Sequence, residues 1–226
     1  MAQGDRVLGM FKFGAAHHIE QFAHGLLYMN TLKYFVELET GSPRKDSDEG
    51  TSHLWRGNGA MLQVELEGRF MPVGEIREVR SRPNALQTVN VFCMYALRES
   101  SSDRFVDPRN SAFGDTFAIL TDFDEFMKRV RTAVPGLGSA QELQYGLVTY
   151  VDTATYEGPV GIFTKGSDFS FQSEFRIGLL PGTGAPLRLH VGDLCDIVVF
   201  GRLSDLNDRL RVQVNAQGRR ELQIRN

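Results

Sequence analysis

Segments with strand character outnumber segments with helical periodicity, and this imbalance constrains the fold of the chain more than any other feature. Only two stretches, 15–24 and 121–134, place apolar residues at the spacing of three and four that is typical of a helix. Short apolar runs predict strands at 7–13, 26–30, 60–70, 88–97, 115–120, 145–151, 171–180, 187–191, 196–201 and 209–214. Because strands and helices do not alternate regularly, we predict one α+β domain over residues 1–226, with a mixed or mostly antiparallel sheet and two or three helices.

The boundaries of the helices carry recognisable end signals. Gly25 is placed to end the first helix in a left-handed conformation, and a strand follows it directly. The second helix has Thr121 as its expected N-cap, and Pro135–Gly136 ends it. The apolar segment 32–38 is either a short helical turn or an irregular buried segment.

Two polar stretches, 40–58 and 98–113, are predicted to be long loops inserted into the domain. The charged residues in the middle of the first are Arg44, Lys45, Asp46, Asp48 and Glu49. A loop of this length is usually functional or disordered, so we interpret it either as a solvated loop or as a lid over a substrate site. Its carboxylates do not have the spacing of a calcium loop. The second stretch mixes arginines with acidic residues, which favours a solvated loop over a phosphate or polynucleotide site.

The net charge and the two cysteines indicate which partners and which cellular compartment suit this protein. The net charge of −3 over 226 residues provides no overall attraction to nucleic acid or anionic lipid, although a local basic patch stays open. Cys93 and Cys195 lie in apolar runs, and two buried thiols suit a reducing compartment. No apolar run approaches the ~20 residues of a membrane span, and no secretory segment follows Met1. We therefore expect a cytoplasmic protein without membrane contact.

His17 and His24 share a helix face, but no cysteine is near them in sequence, so no metal site is predicted.

The segment 171–176 is the strongest local pattern that points to chemistry. On a strand, Gln172, Glu174 and Arg176 share one face, while Phe171 and Phe175 lie on the other. This is either an ordinary amphipathic strand with its polar face in water, or a strand that directs a carboxylate and an amide into a cleft and is anchored by the two phenylalanines.

The Gln-x-Glu pattern at 172–174 resembles the catalytic strand motif of ADP-ribosyltransferases. The opening of the chain is similar to that superfamily as well: a short strand at 11–14 with Lys12 in place of the usual Arg or His, a helix, and a glycine-led second strand at 25–31 that ends in Asn30–Thr31. Most of the chain also resembles an uncharacterised prokaryotic family that is common in phage-defence neighbourhoods. The segments that carry this second likeness are 12–13, 92–95, 171–176 and 197–201.

The resemblance implies an ADP-ribosyltransferase-like fold and an enzyme that uses NAD as its substrate, with Glu174 and Gln172 as catalytic residues. It assigns cofactor contacts to Lys12, Phe13, Asn30, Thr31, Tyr34 and Phe35. Glu174 would stabilise the oxocarbenium-like ribose and Gln172 would orient the acceptor. The product would be an ADP-ribosylated macromolecule, either nucleic acid or protein, or free ADP-ribose, in a toxin or phage-defence setting. The alternatives are a non-enzymatic interaction module and a metal-dependent nuclease that uses the acidic loop.

Overall fold

A computed structural model describes residues 5–38, 48, 50–57, 59–100, 106–138 and 141–224. The strands are β1 (Val7–Gly14), β2 (Leu26–Thr31), β3 (His53–Arg56), β4 (Met61–Leu66), β5 (Arg69–Glu75), β6 (Glu78–Ser81), β7 (Asn90–Arg98), β8 (Thr116–Leu120), β9 (Glu142–Leu147), β10 (Thr149–Val151), β11 (Gly158–Pro159), β12 (Thr164–Gly166), β13 (Glu174–Leu180), β14 (Leu187–His190), β15 (Val198–Arg202), β16 (Leu210–Val214) and β17 (Arg220–Ile224). The α-helices are α1 (Ala16–Ala23), α2 (Leu32–Glu37), α3 (Asn84–Gln87), α4 (Phe123–Ala133) and α5 (Leu206–Arg209). Short 3₁₀ helices occur at Pro108–Phe113, Val134–Leu137, Gly161–Phe163, Ser167–Gln172 and Leu203–Asp205.

The architecture centres on an eight-stranded antiparallel sheet in which β7 has three partners. One edge of β7 pairs with β13 along most of its length, and β9 continues the sheet on that side. The other edge is shared: β1 pairs with β7 at the end that contains Tyr95, and β2 pairs with β7 at Val91. From there the sheet continues as two branches, β1–β8–β15 and β2–β14. The sheet is therefore split between β1 and β2.

Helices cover one face of this sheet, and the carboxyl-terminal segment covers part of the other. On the helix face, Phe22 of α1 and Phe126 of α4 pack with Phe92 and Phe175 in the largest core cluster. On the opposite face, buried aromatic side chains of β1, β7 and β8 pack against α5 and the β16–β17 hairpin. Full burial of each large apolar side chain contributes about 1.5–3 kcal/mol, so both layers hold the split sheet in place.

The predicted α+β class with a mostly antiparallel sheet is confirmed, and so is the strand–helix–strand opening. Gly25 ends α1 with a φ of 85°, as expected for a left-handed helix end. A Cβ atom at this position would lie 1.9 Å from the carbonyl oxygen of Gly192, so the close approach of β2 to the loop after β14 also requires glycine. Segment 32–38, which the sequence left open, is the helix α2.

Several predicted boundaries are wrong. Asp122 rather than Thr121 caps α4, because its side chain accepts a hydrogen bond from the backbone N–H of Glu125 at 2.8 Å. Strand β3 lies inside the predicted loop 40–58. The predicted strand 171–180 begins only at Glu174, because Ser167–Gln172 form a 3₁₀ helix and Ser173 links this helix to the strand.

The predicted strand 60–70 is in fact a hairpin, β4–β5, that turns at Glu67 and Gly68, both with positive φ. Its alternating pattern predicts one buried face, yet every residue of both strands is exposed. Phe70 and Val73 are 68% and 64% exposed, respectively. The hairpin therefore projects from the body of the protein, and its apolar side chains belong to the surface.

The cysteines also depart from the sequence-based expectation. Cys195 is exposed, so the prediction of two buried thiols is wrong for this residue. Cys93 is partly buried beside Glu174, and burial together with the Glu174 charge raises the pKa of Cys93 to about 12. None of the helices in the described part of the chain combines the length and the apolar character that crossing a membrane requires.

Candidate functional site

A cavity of about 340 Å³ occupies the split in the sheet. Its walls come from the end of β1, from β2, from residues 91–95 of β7 and from the facing sides of α1 and α2. Residues 92–94 of β7 lie between the two stretches that pair with β2 and β1, so this part of the β7 edge faces the cavity. Cavities of this size hold small molecules in many proteins.

The floor of the cavity holds a group of four buried polar side chains. Lys165 Nζ donates hydrogen bonds to Gln172 Oε1 at 2.8 Å and to Glu174 Oε1 at 3.0 Å. Arg176 Nε donates to the other carboxylate oxygen, Glu174 Oε2, at 2.6 Å. Arg176 Nη1 also donates to the carbonyl oxygen of Ile162 at 2.9 Å. All four side chains line the cavity. Because Lys165 binds one oxygen of Glu174 and Arg176 binds the other, the carboxylate is held from both sides.

The two cations determine the charge state of Glu174. Burial alone would raise the pKa of this carboxyl group, but the charges of Arg176 and Lys165 and their hydrogen bonds hold it well below its usual value of 4.5. The backbone N–H of Glu174 donates to the hydroxyl oxygen of Tyr150 at 2.8 Å, which fixes the start of β13. Glu174 is therefore an ionised, rigidly oriented carboxylate at neutral pH.

A local reversal of the chain delivers Gln172 to this group. Ser173 adopts a left-handed conformation, with φ of 39°, between the 3₁₀ helix and β13. Its Oγ donates to the carbonyl oxygen of Ala96 at 2.7 Å, and its own carbonyl accepts from the Ala96 N–H at 2.7 Å. The predicted alternation over 171–176 is thus wrong before Glu174, since Gln172 is not on a strand. Both Gln172 and Glu174 nevertheless reach Lys165 Nζ.

The two phenylalanines predicted to anchor this strand have different surroundings. Phe175 packs in the main core against Phe123, with ring centroids 5.2 Å apart. Phe171 lies in the 3₁₀ helix, where the Arg109 guanidinium sits 4.2 Å from its ring centroid. Only Phe175 therefore anchors the strand that carries Glu174.

Lys12 lines the same cavity but approaches from the opposite face of the sheet. On β1, Lys12 points to the same face of the sheet as Met10, which is the face covered by the helices. Phe175 also points to that face, so its neighbour Glu174 points to the opposite one. Lys12 Nζ donates to the carbonyl oxygen of Cys93 at 2.7 Å and lies 4.3 Å from the centroid of Phe92. Because the sheet is open at this point, both side chains reach one cavity.

The remaining residues predicted to contact a cofactor differ in position. Asn30, Tyr34 and Phe35 line the cavity, and the last two rings meet edge to face at 5.3 Å. Phe13 also lines it, but its ring is buried in the core between Phe11 and Tyr95. Thr31 is not among the lining residues: it is buried, and its Oγ1 accepts a hydrogen bond from the Tyr34 N–H at 3.2 Å. Thr31 therefore positions α2 as its N-cap.

Local sequence patterns did not identify Lys165 as a site residue. They placed Arg176 on the same strand face as Glu174 but assigned no function to it. Arg176 was accessible to prediction, since strand alternation puts it beside Glu174. Lys165 belongs to β12, which pairs with β10 away from the main sheet. Nothing in its immediate sequence distinguishes it from an exposed lysine, although it is only 4% exposed.

The two predicted loops are partly ordered: the first contains β3, and the second contains the 3₁₀ helix Pro108–Phe113, from which Asn110 and Phe113 line the cavity. Arg44, Lys45, Asp46, Glu49 and Arg104 lie outside the described residues. Asp48 forms an ion pair with Arg80 at 2.9 Å, and Arg109 forms one with Asp107 at 2.8 Å. Where they are described, these two charged loop residues therefore form ion pairs with other protein residues.

The cavity combines three kinds of chemistry: aromatic rings, cations, and an ionised carboxylate hydrogen-bonded to its neighbours. Among its described lining residues, three are cationic (Lys12, Lys165 and Arg176) and one is anionic, Glu174. Such a lining suits a ligand with planar rings, negative charge and hydroxyl groups. Comparisons of this chain with protein-family models, with curated proteins and with solved structures found no match.

Proposed function

We propose that the cavity binds NAD and that the protein cleaves the bond between nicotinamide and ribose, transferring ADP-ribose to a macromolecular acceptor or to water. The observation that carries the proposal is the meeting of Lys12, Asn30, Tyr34 and Phe35 with Gln172 and Glu174 at one cavity. These residues come from opposite ends of the chain, and the resemblance to ADP-ribosyltransferases assigns them to one site.

The lining supports the binding of a dinucleotide. NAD carries two aromatic ring systems and a pyrophosphate. Tyr34, 38% exposed at the cavity, offers a ring on which a base can stack, and Phe35 beside it extends the aromatic wall. Lys12 and Arg176 place positive charge in the lining, which suits the negative charge of a pyrophosphate.

The proposed reaction breaks the C1′–N bond, and the bonding electron pair leaves with nicotinamide, which becomes neutral. Positive charge then develops at C1′ and the ribose ring oxygen. An ionised carboxylate stabilises this charge by electrostatics and by accepting a hydrogen bond from a ribose hydroxyl. A hydroxyl or amine of the acceptor, or water, forms the new bond to C1′ and releases its proton to the solvent.

The hydrogen bonds from Lys165 and Arg176 are compatible with this role of Glu174. An ionised carboxylate offers about four lone-pair positions, so the bonds from Lys165 and Arg176 leave acceptor capacity for a ribose hydroxyl. They also fix the orientation of the carboxylate before the substrate arrives, which is what electrostatic stabilisation requires. Gln172, held by Lys165 Nζ at 2.8 Å, would orient the acceptor beside it.

A second function, nucleotide binding without cleavage, is favoured by the engagement of both Glu174 oxygens. In this case the carboxylate serves mainly to keep Lys165 and Arg176 in place, and the protein acts as an interaction module that responds to a ligand. The two functions predict the same affinity for NAD but different fates for it.

The deciding experiment measures nicotinamide release from NAD by the full chain, with labelled NAD and added DNA, RNA or protein as acceptors. We expect release by the wild type, loss of release in Glu174→Gln, and wild-type release in Glu142→Gln, a matched change at an exposed residue of β9. Binding without any release supports the second function. Full activity of a folded Glu174→Gln protein overturns the catalytic role.

Because Glu174→Gln leaves two buried cations without a carboxylate, its fold is checked by its unfolding midpoint. If this variant does not fold, Tyr34→Ala carries the test, since Tyr34 is partly exposed and contributes little to the core. Nicotinamide release at low NAD concentration must then fall. Release by Tyr34→Ala equal to that of the wild type would contradict the proposed binding mode.

A further inference from the structure

Three metal-ligating side chains converge at the surface where α1 ends. His24 is the residue at the end of α1, and Asp193 and Cys195 belong to the loop between β14 and β15. His24 Nδ1 lies 3.4 Å from Asp193 Oδ2 and 3.9 Å from Cys195 Sγ. One ligand atom from each residue lies within 4.8 Å of the other two. Cys195 is 171 positions from His24, so no local spacing in the sequence indicates this group.

We propose that His24, Asp193 and Cys195 form a binding site for a divalent transition-metal ion, with Zn²⁺ as the best match, separate from the cavity in the split sheet. Imidazole, carboxylate and thiolate are the three ligand types that Zn²⁺ takes in proteins. Bond lengths of about 2.0 Å to nitrogen and oxygen and about 2.3 Å to sulfur, in tetrahedral geometry, separate ligand atoms by about 3.3–3.6 Å. The distances of 3.4 and 3.9 Å from His24 Nδ1 to Asp193 and Cys195 are close to this range, and the third pair of ligand atoms lies within 4.8 Å.

The same geometry argues against a Cys–His–Asp nucleophile system. In such a system the two ring nitrogens have separate partners, one oriented by the carboxylate and the other facing the nucleophile. Here Asp193 and Cys195 both face Nδ1 of His24. Convergence of a carboxylate and a thiol on one ring nitrogen suits a shared ion, and not a proton relay.

The backbone holds the ligands in this arrangement. The N–H of Leu194 donates to the Ala23 carbonyl at 2.8 Å, and the N–H of Val191 donates to the Gly25 carbonyl at 2.9 Å, so the loop is tied to α1 on both sides of His24. Leu194 is fully buried and anchors the loop between the two ligands that it supplies.

Surrounding polar contacts orient the ligating carboxylate. Asp193 Oδ1 accepts from the Cys195 N–H at 2.8 Å, which leaves Oδ2 directed towards His24. Arg129 of α4 donates to the Asp193 carbonyl and binds the carboxylate of Asp196. Outer hydrogen bonds of this kind hold metal ligands in place in known sites. Water would complete the coordination, since the His24 and Asp193 side chains are 62% and 64% exposed.

The test is titration of the metal-free full chain with Zn²⁺ by calorimetry and with Co²⁺ by absorption spectroscopy. We expect one Zn²⁺ per chain and a thiolate-to-cobalt charge-transfer band. Cys195→Ser should abolish the band, and Cys195→Ser, His24→Ala and Asp193→Asn should each weaken Zn²⁺ binding by at least about tenfold, the lower bound for loss of even an outer-sphere contact. These residues are exposed, so the variants are expected to fold.

His17→Ala is the matched control, because His17 is an exposed histidine at the other end of α1, next to His18. The proposal is overturned if the wild type binds no stoichiometric Zn²⁺ at micromolar concentration. It is also overturned if the three ligand variants bind as the wild type does, or if His17→Ala is the change that removes binding. None of these readouts depends on NAD, so the outcome is independent of the function proposed for the cavity.

Discussion

Glu174 and Arg176, two positions apart on β13, meet at 2.6 Å inside the protein, where the arginine is 1% and the glutamate 7% exposed. Strand alternation places both side chains on one face, and Lys165 completes the group from another strand. Buried ion pairs of this kind add little net stability over apolar packing, but removal of one partner is costly. Stability and the proposed chemistry therefore depend on the same side chains.

Arg176→Ala is expected to lower the free energy of unfolding by about 3–5 kcal/mol, the range for breaking a buried ion pair. The cost arises because Glu174 keeps its charge without its closest partner. Urea denaturation followed by circular dichroism measures the change. Lys33→Ala is the control, since it removes an exposed pair with Glu37 and is expected to cost about 0–1 kcal/mol. A loss below 1 kcal/mol for Arg176→Ala would contradict the described ion pair.

Stability should fall in acid in a manner that depends on Glu174. Its pKa in the folded state lies below the value of 4.5 expected in the unfolded chain, so its contribution is present above pH 4.5 and is lost as the pH falls towards the folded-state pKa. Denaturant titrations between pH 7 and pH 3 should show a smaller decrease for Glu174→Gln than for the wild type. Parallel pH profiles for the two proteins would show that Glu174 is not the group responsible.

Tyr34→Ala should weaken the binding of NAD with little effect on folding. Loss of a stacking ring costs about 1–3 kcal/mol, which is roughly 5- to 150-fold in the dissociation constant. Calorimetric titration with NAD measures the change, and the unfolding midpoint verifies the fold. Phe200→Ala removes a similarly exposed ring outside the cavity and should leave the affinity unchanged. Equal affinities for all three proteins would place the base elsewhere.

The exposed hairpin is expected to contribute little to global stability. Phe70→Ser on β5 should change the free energy of unfolding by less than about 1 kcal/mol, because the ring is 68% exposed and burial changes little. Phe11→Ala, at a fully buried ring of β1, should cost about 3–5 kcal/mol. Urea denaturation of both variants gives the comparison. Similar losses would mean that the hairpin packs against the body of the protein.

Local patterns predicted the opening of the chain because its determinants are local. Helical spacing and the position of Gly25 suffice to define β1, α1 and β2. The start of β13 was predicted wrongly because Ser173 takes its left-handed conformation from hydrogen bonds to Ala96, which is distant in sequence. The exposure of β4 and β5 was missed for a related reason: an alternating pattern indicates a strand but does not identify a neighbour for its apolar face.

The residues of the candidate sites also differ in whether a local sequence pattern could identify them. The placement of Glu174 and Arg176 on one face follows from strand periodicity. Lys165 reaches them through a turn of 3₁₀ helix, and Cys195 reaches His24 only through the docking of a loop on α1. Contacts of this kind between residues distant in sequence depend on the tertiary structure, which local sequence patterns do not specify.

The gap between β1 and β2 leaves a short length of strand edge open inside the protein. An open edge is a template for further main-chain pairing, and long open edges invite aggregation. Here the opening spans only residues 92–94, between Val91 and Tyr95, and the Cys93 carbonyl already accepts from Lys12. The opening is too short to recruit another strand, and only Cys93 directs its peptide groups into it, because those of Phe92 and Met94 pair with β13. Substitution of lining side chains would leave the Cys93 peptide group in place, so a ligand contact with its N–H would withstand such substitutions.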